Sequence, residues 1–308
     1  TPSSDIVNAF DHTAPPTQKA IFGYGYNASG GGRLSMSNLV NSSGVVAADV
    51  TGVGTARMTI AATSYGGDKA IFGYGDSGSA TNLSNLVSSS GVIASDTTGV
   101  GTARYAPAAA SYGEDKGIFG YGDTGGDSYV SLTNLVNNSG VIATDTTGVG
   151  TARRYLAATG YGSSGQAVFA YGSTGSRLSM KNLVSNSGVV ASDATGVGSA
   201  RNNLAAVKYG TDKAIFGYGS TGSITGVTNL VSNVGVVAAD VSGVGTARQY
   251  LAAASYGGDK ALFGYGNTAS GAVSMTNLVN NSGVVGSDVT GVGSVRETLG
   301  AAGYSTSA

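Results

Sequence analysis

One tripeptide recurs six times along the chain at nearly constant spacing, and no other feature constrains the fold as strongly. Asn-Leu-Val begins at Asn38, Asn85, Asn134, Asn182, Asn229 and Asn277. An aspartate stands eleven residues after each of these asparagines, and an arginine stands eight residues after each aspartate. The resulting period of 47 to 49 residues is typical of a β-propeller blade, which contains four short strands.

Each period contains four segments with the character of strands. In one copy these are residues 248–257, 260–266, 274–279 and 284–289, separated by turns rich in glycine, asparagine and serine. Aromatic enrichment and alternation support the second strand, as in Ala214-Ile-Phe-Gly-Tyr218. No segment has the 3.6-residue apolar period of a capped helix, so almost no helix is predicted.

The two ends of the chain complement each other. The repeats begin at a second strand, residues 19–25, and end after a first strand, residues 296–304. Pairing these ends would complete one blade and remove exposed edges, whereas an open solenoid would need capping repeats, and none is visible. We therefore predict an all-β, six-bladed β-propeller of four-stranded blades over residues 19–308, closed by pairing of the C-terminal strand with the N-terminal blade. Residues 1–18, with Pro2, Pro15 and Pro16, are predicted to be a separate arm or tail.

The repeats resemble known families in two respects. Thr246-Ala-Arg-Gln-Tyr-Leu-Ala-Ala-Ala followed by Ala261-Leu-Phe-Gly-Tyr-Gly266 resembles the kelch repeat, which implies a propeller over residues 19–304. The motifs Asn-Leu-Val, Gly-Val-Val and Gly-Val-Gly-Thr-Ala-Arg are similar to those in repeat proteins of tailed phages from aquatic samples. That resemblance implies a virion or host-attachment component, located on a virion or outside the cell.

The composition excludes several classes of function. Sixteen basic residues balance seventeen acidic ones, so no net field would attract nucleic acid. No apolar run reaches the roughly 18 residues of a membrane-spanning helix. Cysteine is absent and His12 is the only histidine, so the blades offer neither a catalytic triad nor a cluster of histidine ligands. We predict no enzymatic activity, no cofactor, no bound metal and no membrane insertion.

The repeated acidic and basic residues are the most regular polar feature. They could form a ring of charges around a central channel that binds an anionic ligand. The alternative is a structural joint in every unit, which six equal copies favour, because an active site rarely needs six. We predict structural ion pairs formed by Asp49, Arg57, Asp96, Arg104, Asp145, Arg153, Asp193, Arg201, Asp240, Arg248, Asp288 and Arg296.

The loops after each Gly-Tyr-Gly vary while the flanking strands hardly change. A rigid scaffold with differing loops on one rim is how repeat proteins commonly build binding surfaces. The alternative is that the loop tips vary because nothing constrains them. The loops are residues 26–33, 76–82, 123–130, 173–177, 220–226 and 267–272. The ligand-binding candidates are Tyr26, Asn27, Arg33, Asp76, Asp123, Asp127, Tyr129 and Arg177. The spacing of Asp123 and Asp127 lacks the pattern of a calcium loop of the EF-hand type.

These features lead to two hypotheses about function. The first is a structural or adhesion protein of a virion (a tail-fibre, decoration or receptor-binding component) that contacts other virion or surface proteins through residues 1–18. The second is a secreted, lectin-like module that binds cell-surface glycans through the variable loops. The doubled tyrosines, such as Tyr65 with Tyr74, would stack on sugars in the second case, but their presence in all six units favours packing between blades.

Overall fold

A computed structural model describes residues 17–308 of the chain. Nearly all of the predicted arm at residues 1–18, together with His12, therefore lies outside the described residues. Residues 17–308 contain 21 strands and no helix, which confirms the all-β class, and no stretch of them could cross a membrane as an apolar helix. The strands are β1 (Lys19–Asn27), β2 (Gly32–Val40), β3 (Ala61–Tyr65), β4 (Lys69–Gly73), β5 (Ser84–Val87), β6 (Ala108–Tyr112), β7 (Lys116–Asp123), β8 (Tyr129–Val136), β9 (Ala157–Tyr161), β10 (Gln166–Ala170), β11 (Lys181–Val184), β12 (Ala205–Tyr209), β13 (Lys213–Gly217), β14 (Thr228–Val231), β15 (Ala252–Tyr256), β16 (Lys260–Gly264), β17 (Asn267–Thr268), β18 (Gly271–Ala272), β19 (Thr276–Val279), β20 (Val285–Val289) and β21 (Gly300–Tyr304).

The strands form six small antiparallel sheets, one for each repeat. We number them in chain order by their central strand: sheet 1 (β2-β1-β21), sheet 2 (β3-β4-β5), sheet 3 (β6-β7-β8), sheet 4 (β9-β10-β11), sheet 5 (β12-β13-β14) and sheet 6 (β15-β16-β19-β20). A two-stranded ribbon, β17-β18, extends the loop of sheet 6. In most sheets the first strand alternates between buried and half-buried residues and the central strand is almost wholly buried, so each sheet is packed on both faces.

The first sheet is assembled from both ends of the chain. Strand β1 pairs with β21 in the register Lys19 opposite Tyr304 through Gly23 opposite Gly300. This pairing, predicted from the permuted ends of the repeat, is confirmed. It supplies sheet 1 with the first strand that the other five sheets receive from the segment just before their central strand.

Aromatic side chains join the sheets in one cyclic order. A tyrosine at the end of each central strand packs against a phenylalanine in the central strand of the next sheet, with ring centroids 5.0–5.3 Å apart. The pairs are Tyr24–Phe72, Tyr74–Phe119, Tyr121–Phe169, Tyr171–Phe216, Tyr218–Phe263 and Tyr265–Phe22. The last pair joins sheet 6 to sheet 1, so every sheet has a neighbour on each side.

A closed cycle of backbone hydrogen bonds lies just before the first strands. One residue per sheet donates its N–H to the carbonyl of the equivalent residue in the preceding sheet, at 2.8–3.3 Å. The residues are Thr59, Ala106, Tyr155, Asn203, Tyr250 and Thr298, and Thr59 closes the cycle by donating to Thr298. All six have φ between 49° and 57°, a left-handed conformation that is uncommon outside glycine and is a genuine outlier for a β-branched threonine.

A second closed cycle lies at the other end of the first strands. Here a turn residue of each sheet donates its N–H to a carbonyl in the next sheet, at 2.7–3.0 Å. The donor and acceptor pairs are Gly66–Asp115, Gly113–Gly165, Gly162–Asp212, Gly210–Asp259, Gly257–Gln18 and Ser305–Asp68. Gln18 and Ser305 complete the cycle where the chain ends meet.

The strand boundaries differ from the sequence prediction in two ways. The first strand begins four residues after the arginine, at Ala252 rather than Arg248, because Tyr250 is in the left-handed conformation. The fourth strand is continuous only in sheet 6, and elsewhere it is reduced to isolated bridges such as Val40 with Val46 and Ser37 with Val50.

Candidate functional site

The repeated arginine is fully buried in each of the six units, with 0% exposure. In sheet 6, Arg248 donates from Nε to the carbonyl of Tyr265 at 2.9 Å and from Nη2 to Oδ1 of Asn277 at 2.6 Å. Asn277 in turn donates to Oδ1 of Asp288 at 2.9 Å. The asparagine of the Asn-Leu-Val motif therefore connects the arginine to the aspartate.

Each repeated aspartate receives several hydrogen bonds. Thr246 donates to Asp288 from both its backbone N–H and its hydroxyl, the latter at 2.7 Å. Burial alone would raise the pKa of Asp288, but the hydrogen bonds from Thr246 and Asn277 and the charge of Arg248 outweigh it and hold the pKa below its usual value. The same direction and kind of cause apply to Asp49, Asp96, Asp145, Asp193 and Asp240.

The partners in these networks come from different repeats of the sequence. Each arginine interacts with the aspartate about forty residues later in the chain, not with the one eight residues before it, and Arg296 interacts with Asp49. The separations are 3.7–3.9 Å in four units. In the other two, Arg57 and Arg104 act on Asp96 and Asp145 through charge and through the bridging asparagine.

The arginine also joins its own sheet to the preceding one. Arg248 lies 4.5 Å from the ring centroid of Tyr218 in sheet 5, and all six units repeat this contact at 4.0–4.8 Å. Burial raises the pKa of Tyr24, Tyr121 and Tyr265 to about 12, so these hydroxyls remain donors, and each bonds a backbone carbonyl. The networks form a joint between neighbouring sheets in all six units, and in the Arg201 unit Nη2 of the arginine and Oδ1 of Asn229 are not hydrogen-bonded.

The variable loops lie beside the first hydrogen-bonded cycle. The residue after each repeated arginine pairs with the residue that follows the next Tyr-Gly, as Tyr105 does with Asp123 and Arg154 with Ser173. We call the six loops and the residues after the arginines the loop surface. In those positions the six units carry six different residues: Met58, Tyr105, Arg154, Asn202, Gln249 and Glu297.

One cluster on this surface combines charged and aromatic side chains. Arg154 forms ion pairs with Asp123 at 2.6 Å and with Asp127 at 2.8 Å. Its guanidinium carbon lies 5.1 Å from the ring centroids of both Tyr129 and Tyr155. We call these residues, together with Tyr105, the Arg154 cluster.

Hydrogen bonds fix the positions of the carboxylates in this cluster. Tyr105 donates to Oδ2 of Asp123 at 3.0 Å and the N–H of Gly125 donates to its Oδ1 at 2.7 Å. Tyr129 donates to Asp127 at 3.1 Å. The Asp123 side chain is fully buried, whereas that of Asp127 is 69% exposed, so Asp123 anchors the loop while Asp127 and Tyr129 face solvent.

The exposed part of the Arg154 cluster suits recognition of a polar ligand with an apolar face. An aromatic ring stacks on the C–H face of a ring-shaped polyol, and a fixed carboxylate accepts hydrogen bonds from its hydroxyls. The Arg154 guanidinium group already pairs with the carboxylates of Asp123 and Asp127, so its role is to hold them in position. The exposed carboxylate of Asp127 is the group that can accept hydrogen bonds from a ligand.

The remaining candidates from the sequence lie elsewhere on the loop surface. Arg33 forms an ion pair with Asp76 at 3.0 Å, which joins the loops of sheets 1 and 2. Tyr26 exchanges backbone hydrogen bonds with Glu297, and Asn27 accepts the N–H of Ser29. Arg177 pairs with Ser173 and lies beside Gly222 of the next loop. Within residues 17–308, no hydrogen bond or ion pair joins these groups to the Arg154 cluster.

Sequence reasoning placed Asp123, Asp127 and Tyr129 among the candidates but missed Arg154, Tyr105 and Tyr155. The sequence does contain a signal for these three residues. The two positions after the repeated arginine are the most variable ones in a segment that is otherwise nearly constant. Variable positions within a constant repeat are typical of loops that carry a specific function.

Two comparisons add no relative. No protein-family model matches the chain, and no curated protein matches it. In the part of the chain that the structure describes, no group of three or more acidic or histidine side chains is placed to hold a metal ion.

Proposed function

We propose that this protein is a non-enzymatic adhesion protein that binds a carbohydrate on its loop surface and uses a kelch-like, six-bladed β-propeller as its scaffold. The single observation that carries the binding function is the Arg154 cluster, in which one repeat supplies Asp123, Asp127 and Tyr129 and the next supplies Arg154 and Tyr155. Its exposed carboxylate and tyrosine are held in place by ion pairs and hydrogen bonds, as a binding site requires.

Three observations support the propeller. The aromatic pairs run in cyclic order through six sheets, and two closed cycles of backbone hydrogen bonds lie at opposite ends of the first strands. The pairing of β1 with β21 gives sheet 1 the same strand order as the others. An open solenoid would leave its first and last repeats without such partners.

A carbohydrate is the ligand class that best fits the Arg154 cluster. Tyr129 and Tyr105 supply aromatic surface, and Asp127 supplies an exposed carboxylate at a fixed position. Tyrosine is common at recognition surfaces because it contributes a large, rigid contact at low entropic cost. Repeated weak contacts to a polymeric glycan would add through avidity if several copies of the chain are held together.

A place on a virion is the second part of the proposal. It is supported by the resemblance of the repeats to proteins of tailed phages, and a chain attached to a particle would present many copies of the same loop surface. The alternative is a secreted, lectin-like module with the same ligand chemistry. The number of copies in purified particles, measured by mass spectrometry, separates these two: many copies per particle support the virion, and recovery only as free chain supports the secreted module.

Catalysis is not part of the proposal. The two carboxylates of the cluster are both held by Arg154, and glycosidases of the common type need a pair of carboxylates in unlike roles on either side of the bond.

Binding to purified bacterial surface polysaccharides tests the proposed function. The wild-type chain is compared with Tyr129→Ala, which removes the stacking ring, and with Ile224→Ala. Ile224 pairs with Ser220 in another loop as Tyr129 pairs with Asp123, so it is the matched control. We expect Tyr129→Ala to weaken binding about tenfold or more and Ile224→Ala to leave it unchanged. Equal binding by Tyr129→Ala, or no binding of any polysaccharide by the wild type, would contradict the proposal.

A further inference from the structure

A cavity lies at the opposite end of the first strands from the loop surface. It has a volume of about 410 Å³ and is enclosed by the first strands and by the turns that follow them. Its mouth carries exposed turn residues such as Glu114, Ser163 and Thr211. A cavity of this size is within the range that holds small-molecule ligands.

One lining residue breaks the pattern of the repeats. The fourth position of the first strands holds Ser64, Ser111, Gly160, Lys208, Ser255 and Gly303, so a small residue occupies it in every unit except that of β12. The Lys208 side chain projects into space that the other five units leave open.

The Lys208 ammonium group has no direct partner. Within residues 17–308, no hydrogen bond or ion pair holds it, and the carboxylates of Asp212 and Glu114 act on it only through their charge. Burial lowers its pKa below the usual value for a lysine. An unpaired, partly desolvated cation is costly for a fold to keep, and the serines of the sister units show that the fold does not need it.

Hydroxyl groups line the same cavity as Lys208. Ser255 donates its hydroxyl to the carbonyl of Lys208 at 2.8 Å, and Ser64 donates its hydroxyl to the carbonyl of Gly303 at 2.7 Å. Each of these serine oxygens keeps lone pairs that can accept a hydrogen bond from a ligand. The deep part of the cavity therefore offers one positive donor and several acceptors.

We propose that this cavity is a second binding site, separate from the loop surface, and that Lys208 in it binds the carboxylate of a small hydroxylated acid such as an acidic monosaccharide. The single ammonium group neutralises a single negative charge. The serine oxygens receive the hydroxyls of the same ligand.

The charges at the mouth explain why a monoanion fits better than a dianion. Glu114, Asp212 and Asp259 line the turns, where Lys260 also belongs to the cavity wall and Lys213 pairs with Asp212 at 3.3 Å. The charge that remains, Glu114 and Asp259 against Lys260, repels a dianion more strongly than a monoanion. The cavity wall also contains no arginine that could bind a phosphate in two places. A carboxylate on an uncharged polyol passes this region at lower cost.

Calorimetric titration of the full chain with glucuronate tests the site, with glucose and inorganic phosphate as comparison ligands. We expect glucuronate to bind and to raise Tm, and glucose and phosphate to bind at least about tenfold more weakly. The variant Lys208→Ser installs the residue that three sister units carry, so we expect it to fold with an undiminished Tm and to lose glucuronate binding by about tenfold or more.

A matched control makes the same change of charge outside the cavity. The Lys69 side chain is 41% exposed, is paired with Asp68 at 2.7 Å and is not part of the cavity wall, so Lys69→Ser should bind glucuronate like the wild type. The proposal is overturned if glucuronate does not bind the wild type, or if Lys208→Ser binds it undiminished. It is also overturned if phosphate or glucose binds as tightly as glucuronate.

Discussion

The interior joints and the loop surface use the same residue types under opposite constraints. The position of Arg248 in the interior holds an arginine in all six units, fully buried and placed over the tyrosine ring of the preceding sheet. Arg154 on the loop surface follows directly after such a joint, yet no other unit has an arginine there. A cyclic assembly needs equal joints, because one unequal angle would prevent closure, while its surface is free to differ.

Removing the last strand, β21, should have the largest effect on the interior, because it leaves sheet 1 incomplete. A chain that ends at Leu299 lacks β21, so β1 loses the five residues that pair with Lys19 through Gly23. We expect loss of cooperative thermal unfolding, measured by circular dichroism, and association during gel filtration, because exposed strand edges pair with other chains.

The matched control ends at Ser305 and keeps the whole of β21 together with the hydrogen bond from Ser305 to Asp68. It should melt like the full chain. A chain ending at Leu299 that melts at the same temperature as the control would show that sheet 1 is stable without its C-terminal strand.

Substituting one interior arginine has the next largest effect. Arg248→Ala removes a fully buried side chain and leaves the carbonyl of Tyr265 and Oδ1 of Asn277 without their donors. Each buried hydrogen-bonding group left unpaired costs about 1–3 kcal/mol. We expect a loss of that size in the free energy of unfolding in urea. Arg177→Ala, on the loop surface, should leave the urea midpoint close to that of the wild type; an equal loss for both would remove the distinction between interior and surface.

Acidification should weaken the interior joints by a smaller, graded amount. The pKa of each repeated aspartate is lowered in the folded protein from the reference value of 3.8. The stability that these groups contribute is therefore fully present above about pH 5 and is lost as the pH falls through their folded pKa values. Urea midpoints measured from pH 7 to pH 2.5 should be flat and then fall.

The variant Asp288→Asn sharpens this prediction, because it removes one of six equal titrating groups. Its stability should be lower at neutral pH and should depend less steeply on pH below 4 than that of the wild type. An unchanged acid dependence would mean that these aspartates do not drive the loss of stability.

The all-β class, the six small sheets and the pairing of the chain ends could be predicted from the sequence, because each follows from a repeated pattern or from its phase. The boundaries of the strands could not be predicted. Tyr250 ends the extended segment after Arg248 with a positive φ, and no local propensity predicts that conformation for a tyrosine; it arises from the hydrogen bond that Thr298 donates to its carbonyl in the neighbouring sheet.

The candidate site was predictable only in part for the same reason. Asp123 and Tyr129 belong to a variable loop, which marks them locally. Arg154 reaches them from the next repeat, 31 residues after Asp123, and a single sequence does not say which repeats become neighbours through side chains. Lys208 was visible as the one lysine among small residues, but its importance depends on the cavity around it.

The pairing of β1 with β21 has a consequence for the order of events during synthesis. The two paired strands lie far apart along the chain, 285 residues for Lys19 opposite Tyr304, so sheet 1 stays incomplete during synthesis until β21 has been made. During that interval β1 presents an open edge to five first strands of nearly the same sequence, on its own chain and on neighbouring polysomal chains. Exchange of such strands between chains would give interlocked oligomers. Gly300 and Gly303 occur together in no other first strand, so they distinguish β21 from the five other first strands.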